Sequence, residues 1–159
     1  MTTFESKVKT ILTTPDTIYK LLSDFSRFSP AIFNPESIKQ MIPPNIPGAD
    51  GFKDKIKGFK ATEDMCLVEI DGQGEVGLKI IDREENKTIK VTGVNIPFEF
   101  YIWFQLKEVA PNETKMKLTL KAELNMMYKF MLSSLLEKQI DKLADMIASQ
   151  FNEYTATYN

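Results

Sequence analysis

The stretch NMMYKFMLSSLLEKQIDKLADMIASQFNEY, residues 125–154, decides the fold of this chain. Its apolar side chains recur at steps of three and four residues, which is the spacing of one stripe along an α-helix. The stripe consists of Tyr128, Met131, Leu132, Leu135, Leu136, Ile140, Leu143, Ala144, Ile147, Phe151 and Tyr154. The spacing predicts one long amphipathic helix, and such a helix needs an apolar surface to cover its stripe.

Segments in which apolar and polar residues alternate supply that surface, because a period of two is typical of strands. We predict seven strands, at residues 3–12, 55–61, 65–71, 75–83, 88–94, 98–109 and 114–124. Short turn-like segments separate the last six strands, and connections this short join only antiparallel neighbours. In the first strand we expect Phe4, Val8 and Leu12 to share one face. The pattern therefore predicts an antiparallel meander with one apolar face.

Two short helices are expected between the first and second strands. Thr14 is a favourable N-cap and Pro15 suits the first helical position, so one helix begins there, and a second helical piece is expected around residues 26–32. Residues 33–54 are interrupted by Pro and Gly, so we predict one short helix from Asn34 to about Met41 and loop elsewhere. The apolar residues of this segment need cover. They form either a flap packed on the domain or a lid over an apolar ligand.

The composition excludes several classes of function. With 159 residues the chain is expected to form a single domain, residues 1–159, and the absence of His removes Ser-His-Asp catalysis and imidazole acid/base chemistry. A net charge of −2 with Arg27 and Arg83 as the sole arginines does not favour a nucleic-acid partner. We expect neither a secretory signal nor a membrane span, because no apolar run is long enough. The single Cys66 fits a reducing compartment, so we expect a cytoplasmic protein.

The polar residues do not suggest a catalytic site. Asp82 is in phase with inward apolar positions, but at a strand end we expect it to be solvated or paired with Arg83. Glu63 and Asp64 read as turn residues, and Cys66 reads as a small buried apolar residue. Paired carboxylates, an activated nucleophile and a metal cluster are not evident. We therefore expect no catalytic residue, no metal site and no cofactor.

Five segments and the order of the predicted elements point to a known superfamily. The segments are FES at residues 4–6, IYKLLSD at 18–24, FKATED at 59–64, GEVGLKI at 74–80 and TKMKLTLKA at 114–122. Through them the chain resembles the START-like, or SRPBCC, superfamily, which includes polyketide cyclases and birch-pollen allergens, and it is most similar to small bacterial members of unassigned function. The resemblance implies an α+β helix-grip fold. In that fold a seven-stranded curved antiparallel sheet carries two short helices after strand 1 and one long C-terminal helix on its concave face.

The resemblance also implies an apolar cavity between the sheet and the terminal helix. The ligand-binding residues it indicates are Phe28, Phe33, Met41, Phe59, Val68, Leu78, Ile80, Phe98, Phe100, Ile102, Met116, Leu118, Met127, Tyr128, Met131 and Leu135. Each of them could instead belong to a plain core. We expect Met127, Tyr128 and Met131, at the start of the helix, to face the wall formed by residues 98–104. Because methionines adapt to varied apolar shapes, this is where a ligand is expected.

Three functions fit these observations. The first is binding or transport of a hydrophobic small molecule, lipid-like or acyl- and polyketide-like. The second is a cyclase- or isomerase-like enzyme acting on a hydrophobic substrate. The third is a protein-interaction module with a filled core, which could form a homodimer through Tyr101 and Trp103. The sequence favours the first, since it offers an apolar container and no catalytic group.

Overall fold

The computed structural model describes residues 1–27, 36, 39 and 49–158, and within that range the side chains of residues 49, 50 and 154–158 are not described. The strands are β1 (Thr2–Glu5), β2 (Lys9–Ile11), β3 (Ile56–Ala61), β4 (Met65–Ile70), β5 (Gly74–Glu84), β6 (Thr88–Val94), β7 (Phe100–Ala110) and β8 (Glu113–Ala122). The helices are α1 (Pro15–Leu22), α2 (Ala49–Asp54) and α3 (Met126–Tyr158), with a 3₁₀ turn at Phe25–Arg27. This order confirms the predicted α+β class.

The described strands join one antiparallel sheet in the order β1-β8-β7-β6-β5-β4-β3. Both β1 and β2 pair with β8: β1 pairs with residues 119–122 and β2 with residues 114–116. The meander from β3 to β8 is confirmed, because each strand pairs with the next one along the chain. The first strand, β1, lies on the far side of β8. The long terminal helix follows β8 directly, so the predicted helix-grip order is also confirmed.

The first strand is not continuous, and the prediction for its inward residues was partly wrong. Glu5 pairs with Thr119 and Lys9 with Met116, so four steps along the first segment match three along β8. One extra residue is therefore present, and every side chain after it changes face. Phe4 is buried as predicted, whereas Val8 and Leu12 are exposed and Ile11 is buried in their place.

Ser6 holds this irregularity in place. Its backbone N–H donates to the carbonyl of Leu118, and its hydroxyl accepts from the N–H of Leu118, both at 2.9 Å. The same hydroxyl donates to the carbonyl of Lys7. The side chain thus replaces a backbone acceptor that the break in the ladder removes, which is why a buried Ser is tolerated here.

A second irregularity lies in β5. Ile80 pairs with Val91 and Asp82 with Lys90, so Ile81 is the extra residue. Asp82, expected in phase with the inward residues, is instead turned to the exposed face, and Arg83 takes the inward register opposite the buried Ile89.

The predicted helices are confirmed where the structure describes them, with one addition. Thr14 caps α1 by accepting from Thr17 N–H, and Pro15 occupies the first turn. Residues 49–54 form a helix where loop was predicted. The 3₁₀ turn overlaps the start of the predicted piece at residues 26–32, and residues 28–32 lie outside the described residues, as does most of the predicted helix from Asn34 to Met41.

The second half of α3 packs against β1, β2 and β8. Ile140, Ala144, Ala148 and Phe151 are buried there and join one core with the sheet and α1. Polar contacts reinforce the packing: Lys9 forms ion pairs with Asp141 at 3.1 Å and with Asp145 at 2.7 Å. Among the described helices, none is both long and apolar enough to cross a bilayer.

Candidate functional site

The concave face of the sheet forms one apolar wall. Its pairings run across the strands from Phe59–Val68 and Cys66–Leu78 through Ile80–Val91 to Ile102–Leu120. Eight of the predicted ligand-binding residues share this face, namely Phe59, Val68, Leu78, Ile80, Phe100, Ile102, Met116 and Leu118. Phe98 precedes β7 and contacts the Phe100 ring at a centroid distance of 5.7 Å. Phe28, Phe33 and Met41 lie outside the described residues.

The wall has two parts that differ in burial. Ile80, Phe100, Ile102, Met116 and Leu118 are buried in the core. We call the β3–β5 part, formed by Phe59, Val68, Val76 and Leu78, the open end of the wall, because all four side chains are only half-buried. Leu78 still packs against the core, and the apolar surface continues from it to Phe59, Val68 and Val76.

Gly93 explains one boundary of the filled part. It lies opposite Leu78 on the wall, and a Cβ there would come within 2.6 Å of the Phe100 ring and 2.9 Å of Ile96. The space above Gly93 is therefore occupied by those two side chains. The sequence carries a signal for this position that we did not use, because a Gly inside a strand is a known sign of close packing.

The start of α3 does not lie where we expected. Four residues of the helix were predicted to bind a ligand. Met127, Tyr128 and Met131 are exposed, and the fourth, Leu135, is half-buried. Met127, Tyr128 and Met131 are therefore not packed against the wall at residues 98–104, and their role in binding a ligand stays a prediction. The strands against which α3 mainly packs are β1, β2 and β8, which lie at one side of the sheet.

The first two turns of α3 consequently present a contiguous apolar surface. Met126 is 89% exposed and Phe130 is 93% exposed. Asn125 caps the helix by accepting from Tyr128 N–H at 2.8 Å, so the exposed turns are regular helix. Large apolar side chains at this exposure are unusual for a free surface and mark a place where something apolar can bind.

A group of polar contacts joins the end of α1 to the turn between β3 and β4. Arg83 donates to the Ser23 carbonyl at 2.9 and 3.1 Å and to the Asp64 carboxylate at 2.7 Å. Phe25 N–H donates to the carbonyl of Glu63 in the same turn. Glu63 and Asp64 are turn residues as predicted, and Arg83 connects that turn to the end of α1.

Cys66 is not poised for nucleophilic chemistry. Burial raises the pKa of its thiol to about 11, so the thiol is protonated at neutral pH. It packs against the core as a small apolar residue, in agreement with the prediction. In the described part of the chain, no group of three or more acidic, Cys or His side chains could hold a metal ion.

Sequence comparison assigns the family. The family model for CoxG, a subunit of carbon monoxide dehydrogenase, matches residues 8–156. The chain belongs to the CoxG family. No protein of curated function matches the CoxG-family sequence significantly. The family match covers nearly the whole chain, and with the fold it confirms the START-like resemblance.

Solved structures support the fold of this CoxG-family chain. An uncharacterized protein from Bacillus thuringiensis is 11% identical with a TM-score of 0.60, and the alignment covers 94% of this chain and 98% of that one. The di-domain ARO/CYC protein BexL of the BE-7585A biosynthetic pathway is 10% identical with a TM-score of 0.58, over 96% of this chain and 46% of that one. The Aha1 dimer from Colwellia psychrerythraea is 18% identical with a TM-score of 0.51, over 96% and 95%. At these identities the likeness concerns the fold alone, and the START-like fold family typically binds hydrophobic ligands.

Proposed function

We propose that this chain is a single-domain, non-catalytic protein that binds or carries a hydrophobic small molecule, lipid-like or acyl- and polyketide-like, between the concave wall and α3. The observation that carries the proposal is the open end of the wall. Four apolar side chains there, Phe59, Val68, Val76 and Leu78, are in register with the core and yet are only partly buried. Apolar side chains that stay partly exposed on the inner face of a sheet offer a surface on which an apolar ligand can pack.

The start of α3 supplies a second apolar surface for the same ligand. Met127, Tyr128 and Met131 are exposed, and Leu135 is half-buried one turn further on. Thioether side chains adapt to irregular apolar shapes, which suits a flexible acyl chain better than a rigid ring. Each methylene that such a chain buries contributes about 0.8 kcal/mol, so a long chain can offset the entropy lost on binding. The buried wall residues would form the floor of the site, and the predicted set of ligand-binding residues is retained as part of this proposal.

The open end can be tested by filling it. Val68→Phe adds volume at a half-buried wall position, and Val109→Phe makes the same change at an exposed position near the end of β7. Native mass spectrometry of gently purified protein should show a bound apolar molecule, and displacement of a fluorescent fatty acid should report its affinity. We expect Val68→Phe to weaken the fluorescent fatty acid at least tenfold and Val109→Phe to leave it unchanged. No bound mass together with no fatty-acid binding in the wild type would overturn the proposal.

We place the protein in the cytoplasm, because its single Cys66 cannot form an internal disulfide. The homodimer through Tyr101 and Trp103 belongs to the alternative of a protein-interaction module, and light scattering is the measurement that tests it. The dimeric state of the Aha1 protein belongs to that protein and supports no more than the choice of this measurement.

A further inference from the structure

The convex face of the sheet carries a cluster that the ligand site does not use. On β6, β7 and β8 the outward positions place Lys90 opposite Trp103 and Tyr101 opposite Lys121. The Lys90 ammonium lies 4.6 Å from the Tyr101 ring centroid and 5.0 Å from that of Trp103, and Lys121 lies 5.5 Å from the Trp103 ring. We call Lys90, Tyr101, Trp103 and Lys121 the lysine–aromatic face.

Further lysines extend this face along the same strands. Lys107, Lys115 and Lys117 are also at outward positions of β7 and β8. Among the described residues, Lys117 is the one lysine of the five that has a carboxylate within 4.0 Å, at Glu5. Acidic groups neighbour these lysines: Glu99 accepts a hydrogen bond from Tyr101, and on β5 Asp82 lies directly across from Lys90, with Glu84 at the next position on the same face.

The charge of this face contrasts with that of the whole chain. Five lysines converge on three strands of a protein whose net charge is −2, so the remaining surface is acidic. Such a local excess of positive charge attracts an acidic partner and raises its association rate. The cation–π contacts also hold two of the ammonium groups in place, which reduces the ordering cost of binding.

We propose that the lysine–aromatic face docks a partner protein through a segment rich in Asp and Glu. Lysine ammonium groups are point charges that pair with carboxylates without the bidentate geometry of arginine, and neither Arg27 nor Arg83 lies on these strands. A single-stranded nucleic acid fits less well, because Lys90 and Lys121 already lie over the rings on which bases would stack. A second copy meeting this chain face to face fits less well too, since its lysines would oppose these.

The only tryptophan of the chain makes the test direct, because Trp103 fluorescence reports on this face alone. Poly-L-glutamate titrated into the wild type at low ionic strength should change that fluorescence and bind, and binding should weaken at physiological salt. Poly-L-lysine should not bind. The double variant Lys90→Ala/Lys121→Ala should bind poly-L-glutamate about fivefold more weakly.

The matched control is Lys138→Ala/Lys142→Ala, which removes the same charge from exposed positions on α3. It should bind poly-L-glutamate as the wild type does. Equal weakening by both double variants would show a general charge effect and overturn the proposal. So would an unchanged Trp103 signal, tighter binding to oligo-dT than to poly-L-glutamate, or a dimer in light scattering that Trp103→Ala dissociates. Circular dichroism of each variant establishes that the fold is retained.

Discussion

Arg83 donates two hydrogen bonds to the carbonyl oxygen of Ser23, at 2.9 and 3.1 Å, across 60 positions of sequence. Ser23 is the C-cap residue of α1, so its carbonyl has no N–H of the helix as a donor and needs another one. The guanidinium reaches it because the extra residue in β5 turns Arg83 toward the concave side. The same guanidinium pairs with Asp64, whose side chain is 59% exposed. A single side chain thus joins the end of α1 to the β3–β4 turn.

We expect the Ser23 contact to matter more than the ion pair. Arg83→Lys keeps the charge but cannot reproduce both donors, and it should lower the free energy of unfolding by about 1–3 kcal/mol. Asp64→Asn should cost less than about 1 kcal/mol, because solvent screens an exposed pair. Chemical denaturation of both variants and of the double variant measures the two contributions. An Asp64→Asn loss as large as that of Arg83→Lys would show that the ion pair dominates.

Ser6 provides a second prediction, which concerns the break between β1 and β2. Ser6→Ala leaves the buried N–H of Leu118 without the hydroxyl that accepts from it, and we expect a loss of about 1–3 kcal/mol. Ser149→Ala, at an exposed position of α3, is the control and should change stability by less than about 0.5 kcal/mol. If Ser6→Ala is as neutral as the control, the Leu118 N–H has another acceptor in solution.

Arg83 and Ser6 also show what the alternation of apolar and polar residues can and cannot predict. Alternation predicted the strands of the meander and the side that faces inward, because a buried face at a period of two leaves only one register. It could not predict the extra residue near Ser6 or the one at Ile81, since a bulge changes the phase without changing the composition. Val8 and Leu12 were assigned to the wrong face for that reason alone, whereas Asp82, whose spacing put it in phase with the inward residues, is exposed in agreement with the expected solvated carboxylate.

The position of α3 on the sheet is the second feature that the sequence pattern could not predict, and it affects the candidate site most. The helical period identifies the stripe but not the strands against which it packs. The apolar residues Met127, Tyr128 and Met131 fit a helix lying over the middle of the sheet as well as one at its side. The ion pairs of Lys9 with Asp141 and Asp145 fix the second arrangement, and they join residues more than 130 positions apart.

Those ion pairs predict how stability depends on pH. The backbone N–H of Lys7 and the ammonium of Lys9 hold the pKa of Asp141 below its usual range. A carboxyl whose pKa is lower in the folded state stabilises the fold above its unfolded-state pKa of about 3.9, and that stabilisation is lost as the pH falls through the folded value. Asp141→Asn should therefore be less stable than the wild type at neutral pH, and the difference should shrink below about pH 4. Thermal unfolding from neutral to acidic pH measures this, with Glu137→Gln at an exposed position of α3 as the control. A difference that stays constant down to acidic pH would contradict the assignment.

The last prediction compares two apolar residues of α3 that lie ten positions apart. Ile140 is 4% exposed and packs in the core, whereas Phe130 is 93% exposed on the first turns. Ile140→Ala should lower the free energy of unfolding by about 2–5 kcal/mol, because it removes buried methyl groups and leaves a cavity. Phe130→Gln should change it by less than about 0.5 kcal/mol, although it removes the larger side chain. The same variant should weaken the fluorescent fatty acid if the start of α3 contacts the ligand, so stability and binding are affected separately. A loss of stability above about 1 kcal/mol in Phe130→Gln would mean that the first turns are packed in solution, and the proposed apolar surface of α3 would then not be available to a ligand.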